Sequence, residues 1–192
     1  MSSKSKAVFL DRDGVINKSY GFRPPNNAEE LVIFRGVPEA IRRLNEAGYL
    51  VFVVTNQGGV GLGYMTQEEL DAIHAKLARE VAKGGGRFTE IAACTHKPKE
   101  GCPCRKPKPG LILDLAKRYN VDLARSFMVG DRDMDIQAGK AAGTRTILIK
   151  SKEKTTEQAD YSCPSLLDAS HLILELDAAG LAAGPFEDGV EG

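Results

Sequence analysis

Two aspartates stand two residues apart in Asp11-Arg12-Asp13-Gly14, directly after the apolar run Ala7-Val8-Phe9-Leu10. If that run is a strand, both carboxylates leave its end together and can face one crevice, with Gly14 freeing the backbone to turn back. Two negative charges gather favourably only around a cation, and a hard divalent ion such as Mg²⁺ is the natural partner. An ionised carboxylate can also attack a phosphoryl group while its neighbour protonates the leaving oxygen. A second acidic cluster, Asp131-Arg132-Asp133-Met134-Asp135, follows Phe127-Met128-Val129-Gly130. There Asp133 or Asp135 would equally serve to cap the next helix, Asp133 above all. Thr55-Asn56-Gln57-Gly58-Gly59 offers a hydroxyl, an amide and backbone N–H groups to an anion. Arg105-Lys106-Pro107 adds two cations. Each feature also has an ordinary counterpart: an Asp-rich turn, a helix cap, a surface loop, solvated charges.

Three of the four cysteines lie close together, with one of the three histidines among them. Cys94-Thr95-His96 and Cys102-Pro103-Cys104 enclose residues 97–101. Three thiolates and an imidazole complete a tetrahedral zinc set with no open position, so a metal here is structural. Pro98, Gly101 and Pro103 leave the loop little other means of order. The alternative is a reduced thiol cluster without metal. The ligand loop runs directly into Arg105 and Lys106, so zinc would fix these cations over the crevice. Cys163, beside Pro164, reads as a core or surface thiol, and His74 and His171 as structural or solvated helix residues.

Positioning these groups requires strands that end where they begin. Residues 7–10, 49–55, 88–94, 127–130 and 146–149 are apolar runs, the second β-branched and apolar on both faces as a buried parallel strand is. Between them the pattern predicts helices over 38–47 (ended by Gly48), from Thr66-Gln67-Glu68-Glu69 (a capping box) to Lys83, over 111–119, over 135–142 (ended by Gly143), and last over 165–176. From Ala178 the Gly/Ala-rich acidic tail is expected to fray. Alternating strands and helices imply an α/β fold with a doubly wound parallel sheet, whose ligands bind at the carboxyl ends of the strands. Asp11, Thr55 and Asp131 all fall there.

A chain of 192 residues with no repeat or long linker reads as one domain, its core over about 7–176. Apolar residues at 42% and charged at 27% exclude a disordered class. Lys plus Arg and Asp plus Glu are 26 each, a balance that argues against nucleic-acid and membrane-surface partners. A Cys₃His knuckle with Lys97, Lys99, Arg105, Lys106 and Lys108 is one reading that would bind single-stranded nucleic acid, as would a polynucleotide 3′-phosphatase module. No aromatic residue stands between Cys94 and Lys108 to stack a base, however. The longest apolar run, 49–54, is far below the ~20 residues of a membrane span, and the first residues do not resemble a signal peptide. A cytoplasmic monomer acting on a small molecule is expected.

In this order and at strand ends, Asp-x-Asp-Gly, Thr-Asn, Lys-Pro and Gly-Asp-x-x-x-Asp resemble the four motifs of the haloacid dehalogenase phosphatases, over residues 7 to about 176. The resemblance implies a capless Rossmann-like phosphatase with Asp11 as nucleophile, Asp13 as general acid and base, Thr55 and Asn56 holding phosphoryl oxygens, and Lys106 neutralising charge. It implies Mg²⁺ on Asp11, the Asp13 carbonyl and Asp131, with Asp135 on or near the metal.

The zinc loop followed by Arg-Lys-Pro is similar to that of D-glycero-D-manno-heptose 1,7-bisphosphate 7-phosphatases and of histidinol-phosphate phosphatases. Asp11 to Asn17, Gly21-Phe22, and Thr55 to Val60 resemble the heptose enzymes. The five-residue zinc loop is as short as in the histidinol enzymes, while Leu62 and Arg132 stand where many heptose enzymes have arginine and lysine. The heptose resemblance implies removal of the 7-phosphate to leave heptose 1-phosphate, a precursor for nucleotide-activated heptose and the lipopolysaccharide core. It implies substrate contacts at Arg12, Ser19, Tyr20, Gly21, Phe22, Asn56, Gln57, Gly58, Arg105 and Arg132, with Arg105 recognising the phosphate that is kept. Histidinol phosphate, in histidine biosynthesis, is the alternative substrate.

Overall fold

Each apolar run that precedes a chemistry-bearing residue is a strand in the computed structural model, which describes residues 4–21, 23–150 and 155–181. In chain order the elements are β1 (Ala7–Leu10), α1 (Val37–Glu46), β2 (Leu50–Asn56), α2 (Gln67–Lys83), β3 (Glu90–Cys94) and α3 (Gly110–Arg118). A short 3₁₀ turn (Leu123–Arg125) leads to β4 (Phe127–Gly130), α4 (Asp133–Ala142), β5 (Arg145–Ile149), β6 (Tyr161–Cys163) and α5 (Leu166–Ala178). The strands form one parallel sheet in the order β3-β2-β1-β4-β5-β6.

Burial on both faces explains the near-continuous apolar strands. Along β1, Val8 and Leu10 enter the layer beneath α1, α2 and α5, while Ala7 and Phe9 enter the layer beneath α3 and α4. The first layer takes Ile41 and Leu44 from α1, Leu70, Ile73 and Leu77 from α2, and Ala169 and Ile173 from α5. Ile112 and Leu115 of α3 and Ala138 of α4 fill the second, where the Phe9 and Phe52 rings stack at 5.3 Å. Local signals set the helix ends. Thr66 and Glu69 close the capping box on α2, Glu69 N–H donating to Thr66 Oγ1 at 3.1 Å and Thr66 N–H to Glu69 Oε2 at 2.7 Å. Gly143, at φ 84°, ends α4 in the left-handed region.

Two elements differ from expectation. Helix α4 begins at Asp133, because Asp135 rather than Asp133 caps it: the Asp135 carboxylate accepts from the backbone N–H of Asp131 and Arg132 at 3.2 and 3.1 Å. Asp133 instead accepts from Thr156 and Glu157 and ties down the approach to β6. Strand β6 itself was unexpected, being three residues long and half polar. It places Cys163 in the core at the sheet edge, 6% exposed. Phe22 and most of the tail, residues 182–192, lie outside the described residues. No helix among the described residues is long and apolar enough to cross a membrane.

β1 pairs with β2 on one side and β4 on the other. The chain reverses its direction of travel across the sheet at β1, so a crevice opens there at the carboxyl ends of the strands. Its wall is completed by Asp13, Ser19, Arg23, Pro24 and Asn26, from the irregular stretch before α1, whose described residues carry isolated bridges such as Asn17 with Ile33.

Candidate active site

A crevice of about 660 Å³ at this reversal is lined by Asp11, Asp13, Thr55, Asn56, Gln57, Gly58, Arg105, Lys106, Arg132 and Asp135, with Ser19 on its wall. Asp11 follows β1 and is 7% exposed. Lys106 reaches it from the cysteine loop: its Nζ lies 2.6 Å from Asp11 Oδ1 and 2.7 Å from Asp135 Oδ1. Burial pulls the Lys106 ammonium down, but the Asp11 and Asp135 carboxylates outweigh it and hold the pKa above the ordinary lysine range. Burial pushes Asp11 up against the pull of Lys106, and Asp135, Asp13 and Asp131 add to the rise.

Carboxylate oxygens of Asp11, Asp131 and Asp135 lie within 4.8 Å of one another. Three carboxylates against one ammonium leave an excess of negative charge in a buried place, which fits a hard divalent cation. Gly14 makes this convergence feasible. Its φ is +99°, and a Cβ there would stand 2.1 Å from Asp131 Oδ2. The Asp13 side chain lines the crevice but is not part of this trio, which leaves its backbone carbonyl for a metal role. Its Oδ1 accepts from Asn17 Nδ2 at 2.9 Å, its Oδ2 from Gln57 Nε2 at 2.8 Å, and both oxygens from Arg12.

Several residues expected to contact substrate are engaged within the protein. Arg12 is fully buried and does not line the crevice, because its guanidinium is engaged by Asp13 and His74. Tyr20 and Gly21 are also absent from the lining; Tyr20 Oη donates to the Glu30 carbonyl. The Asn56 side chain clamps the backbone of Lys106, accepting from its N–H and donating to its C=O, both at 3.0 Å. Gln57 Nε2 donates to Thr55 Oγ1 at 2.8 Å as well as to Asp13. Arg105 keeps one buried guanidinium nitrogen, Nη1, without a hydrogen-bond partner among the described residues. Sequence reasoning missed Arg23, Asn26, Leu62, Tyr64 and Met134 in the lining. Arg23, Asn26, Leu62 and Tyr64 sit in irregular segments and Met134 in the first turn of α4, and only tertiary structure brings them to the crevice.

The second cluster has the dimensions of a tetrahedral zinc site. With Zn–S near 2.3 Å, ligand atoms should be about 3.7 Å apart. Cys94 Sγ lies 3.6 Å from Cys102 Sγ and 3.2 Å from Cys104 Sγ, Cys104 lies 3.5 Å from Cys102, and His96 Nδ1 lies 3.7 and 3.2 Å from Cys94 and Cys104. Burial, with the adjoining thiols, pushes Cys104 up to about 12, so a cation is what would favour its thiolate here. The cysteine loop also braces the loop after β2. Gln57 N–H donates to the Cys94 carbonyl at 2.7 Å and Gly61 N–H to that of Thr95 at 2.9 Å. A Cβ on Gly61 would stand 2.5 Å from the Thr95 oxygen, so only glycine allows that approach. We therefore expect Cys102→Ser to abolish stoichiometric zinc and to lower kcat/KM at least ~10-fold, although no cysteine lines the crevice among the described residues. Metal analysis beside phosphate-release assays checks this; full activity in zinc-free protein would remove the bracing role.

The fold, the acidic strand ends and the buried lysine place the molecule among the haloacid dehalogenase-like hydrolases, and residues 103–169, which carry Lys106, Asp131 and Asp135, match the family model described as HAD-hydrolase-like. Over most of its length the chain belongs to a narrower group within that class, the D-glycero-β-D-manno-heptose-1,7-bisphosphate 7-phosphatase family. It is 37% identical over 183 residues to such an enzyme of Neisseria meningitidis serogroup A, covering 91% of this chain and 97% of that one. The Rhodopseudomonas palustris enzyme is 43% identical over 144 residues, covering 71% and 79%. The crystal structure of D,D-heptose 1,7-bisphosphate phosphatase from B. bronchiseptica, complexed with magnesium and phosphate, superposes with a TM-score of 0.82 at 36% identity, covering 88% of this chain and 98% of that one.

Proposed function

We propose that this protein removes the 7-phosphate of D-glycero-D-manno-heptose 1,7-bisphosphate through a phospho-aspartyl intermediate on Asp11. The observation that carries the chemistry is Asp11 itself: buried, at the end of β1, and paired at 2.6 Å with a lysine that also holds Asp135. The substrate is carried over from the relatives, and the crevice, at about 660 Å³, has room for a sugar bisphosphate.

Asp11 Oδ attacks phosphorus as the bond to the sugar oxygen breaks, and the Asp13 carboxyl gives its proton to that oxygen. A water then attacks the phospho-aspartyl phosphorus, losing a proton to Asp13. The bond to Asp11 breaks, inorganic phosphate leaves, and both aspartates regain their starting states. Lys106 neutralises charge on Asp11 and on the transferring group, and Thr55 offers its hydroxyl to a phosphoryl oxygen. Asp11, Asp131 and Asp135, with the Asp13 carbonyl, would hold Mg²⁺, which when bound supplies further neutralisation of phosphoryl charge. The unpartnered Nη1 of Arg105 supports its role as donor to the phosphate that is kept. Cys94, His96, Cys102 and Cys104 would hold structural Zn²⁺. Reduced cysteines of this kind suit a cytoplasmic setting. The zero net charge supports a small-molecule substrate rather than nucleic acid. A monomer suffices for this chemistry, every proposed group coming from one chain.

Phosphate release with Mg²⁺ from heptose 1,7-bisphosphate, set against histidinol phosphate on the same enzyme, tests the proposal. A kcat/KM at least ~100-fold higher for the bisphosphate, about 2.7 kcal/mol of discrimination, is expected. Equal or reversed preference would overturn the assigned substrate.

A further inference from the structure

Arg12 is a fully buried cation beside the reacting groups, and the chemistry proposed above gives it no contact with substrate. Its guanidinium grips Asp13 along one edge: Nε reaches Oδ1 at 3.2 Å, and Nη2 reaches Oδ1 and Oδ2 at 3.1 and 3.0 Å. A planar fork of this kind fixes the carboxylate's plane as well as its place. The remaining nitrogen, Nη1, points at α2 and lies 3.1 Å from His74 Nε2. Arginine has only donors, so Nε2 must accept and the ring must be neutral, with its proton on Nδ1. Burial, with Arg12 adding to it, lowers the His74 pKa to about 4, against a smaller upward pull from Asp71 and Asp13. The ring is thus neutral across the ordinary working range.

We infer that His74 is a positioning residue for catalysis, holding Arg12 by a Nη1–H···Nε2 hydrogen bond so that the Arg12 fork aims Asp13 at the leaving oxygen and the attacking water. Asn17 and Gln57 each give Asp13 a single hydrogen bond, about which the carboxylate can turn. The Arg12 fork restrains that turning, and His74 ties the fork to a 17-residue helix. Without an acceptor on α2, Nη1 would be a buried donor left unsatisfied, and the guanidinium would shift to find a partner. The inference rests on the proposed role of Asp13 as acid and base.

The test exploits the leaving group. An alkyl oxygen, such as that of the sugar phosphate, needs the proton from Asp13, whereas p-nitrophenolate departs without one. Because kcat/KM reports events up to that departure, a misaimed Asp13 should damage the two substrates unequally. His74→Leu, which keeps an apolar helical side chain but no acceptor, is expected to lower kcat/KM for heptose bisphosphate ~10–100-fold. For p-nitrophenyl phosphate it should stay within ~3-fold. His74→Gln, which restores an acceptor, should recover most of the loss, and it serves as the informative variant if the leucine protein does not fold. A parallel loss on both substrates, no loss on either, or a glutamine variant no better than leucine would overturn the inference. Asp13→Asn serves as the reference. If it too shows no leaving-group dependence, the role of Asp13 itself fails; if it does and His74→Leu does not, only the role of His74 fails.

Discussion

Asp11→Asn is expected to lower kcat at least ~10⁴-fold while leaving the fold and the zinc content intact. Removing a covalent nucleophile elsewhere costs as much as about 10⁶-fold in kcat, and 10⁴-fold corresponds to roughly 5.5 kcal/mol of lost transition-state stabilisation. The amide matches the carboxylate in shape, so the packing at the end of β1 should survive. The charge balance should survive as well. Lys106 keeps Asp135 at 2.7 Å, and the variant loses one of the carboxylates that crowd this buried site. Folding stability without Mg²⁺ is therefore expected to be unchanged or higher, which separates this loss of activity from misfolding. Acid-quenched enzyme incubated with labelled substrate should retain label on the native protein and none on the variant. Mg²⁺-dependent turnover within ~10-fold of native would falsify the phospho-aspartyl route.

The parts of this site that were legible in sequence are those written locally. Apolar residues on both faces of short runs marked β1, β2 and β4, and the residues that follow such runs must emerge at one end of the sheet. Spacing alone assembled Cys94, His96, Cys102 and Cys104, because two ligand pairs on a short loop can close on one ion. The groups that eluded the sequence act across long separations. His74 meets Arg12 over sixty-two positions, and nothing in an amphipathic helix shows that one of its histidines backs onto a loop after β1. Arg12, a substrate contact by resemblance, is fully buried with its guanidinium on Asp13. The same resemblance implies substrate contacts for Asn56 and Gln57, whose side chains are amides. The structure shows those amides bonded to Lys106, Asp13 and Thr55. Strand β6 eluded the pattern because three half-polar residues at a sheet edge carry no periodicity.

Lys106→Met is expected to damage both catalysis and stability, with the two effects separable by Mg²⁺. The side chain is 2% exposed and balances two carboxylates, and removing one partner of a buried ion pair costs about 3–5 kcal/mol. For a chain of this size that lowers the unfolding midpoint by roughly 6–20 °C. The loss arises from charge and not from loop geometry, because Asn56 holds the backbone N–H and C=O of residue 106 and keeps both bonds in the variant. A divalent cation can replace part of the missing charge. Added Mg²⁺ should thus raise the midpoint further in the variant than in the native protein, where Lys106 already offsets part of the repulsion. Activity should not recover in step. In the proposed mechanism the ammonium also stabilises charge on the transferring phosphoryl group, and loss of such a preorganised group costs about 10²–10³-fold in kcat. Thermal unfolding with and without Mg²⁺, beside saturating phosphate-release assays, reads both quantities. An unchanged midpoint would mean that the Asp11 and Asp135 carboxylates are neutralised by other means. A midpoint restored by Mg²⁺ together with full activity would reduce Lys106 to a structural counter-ion.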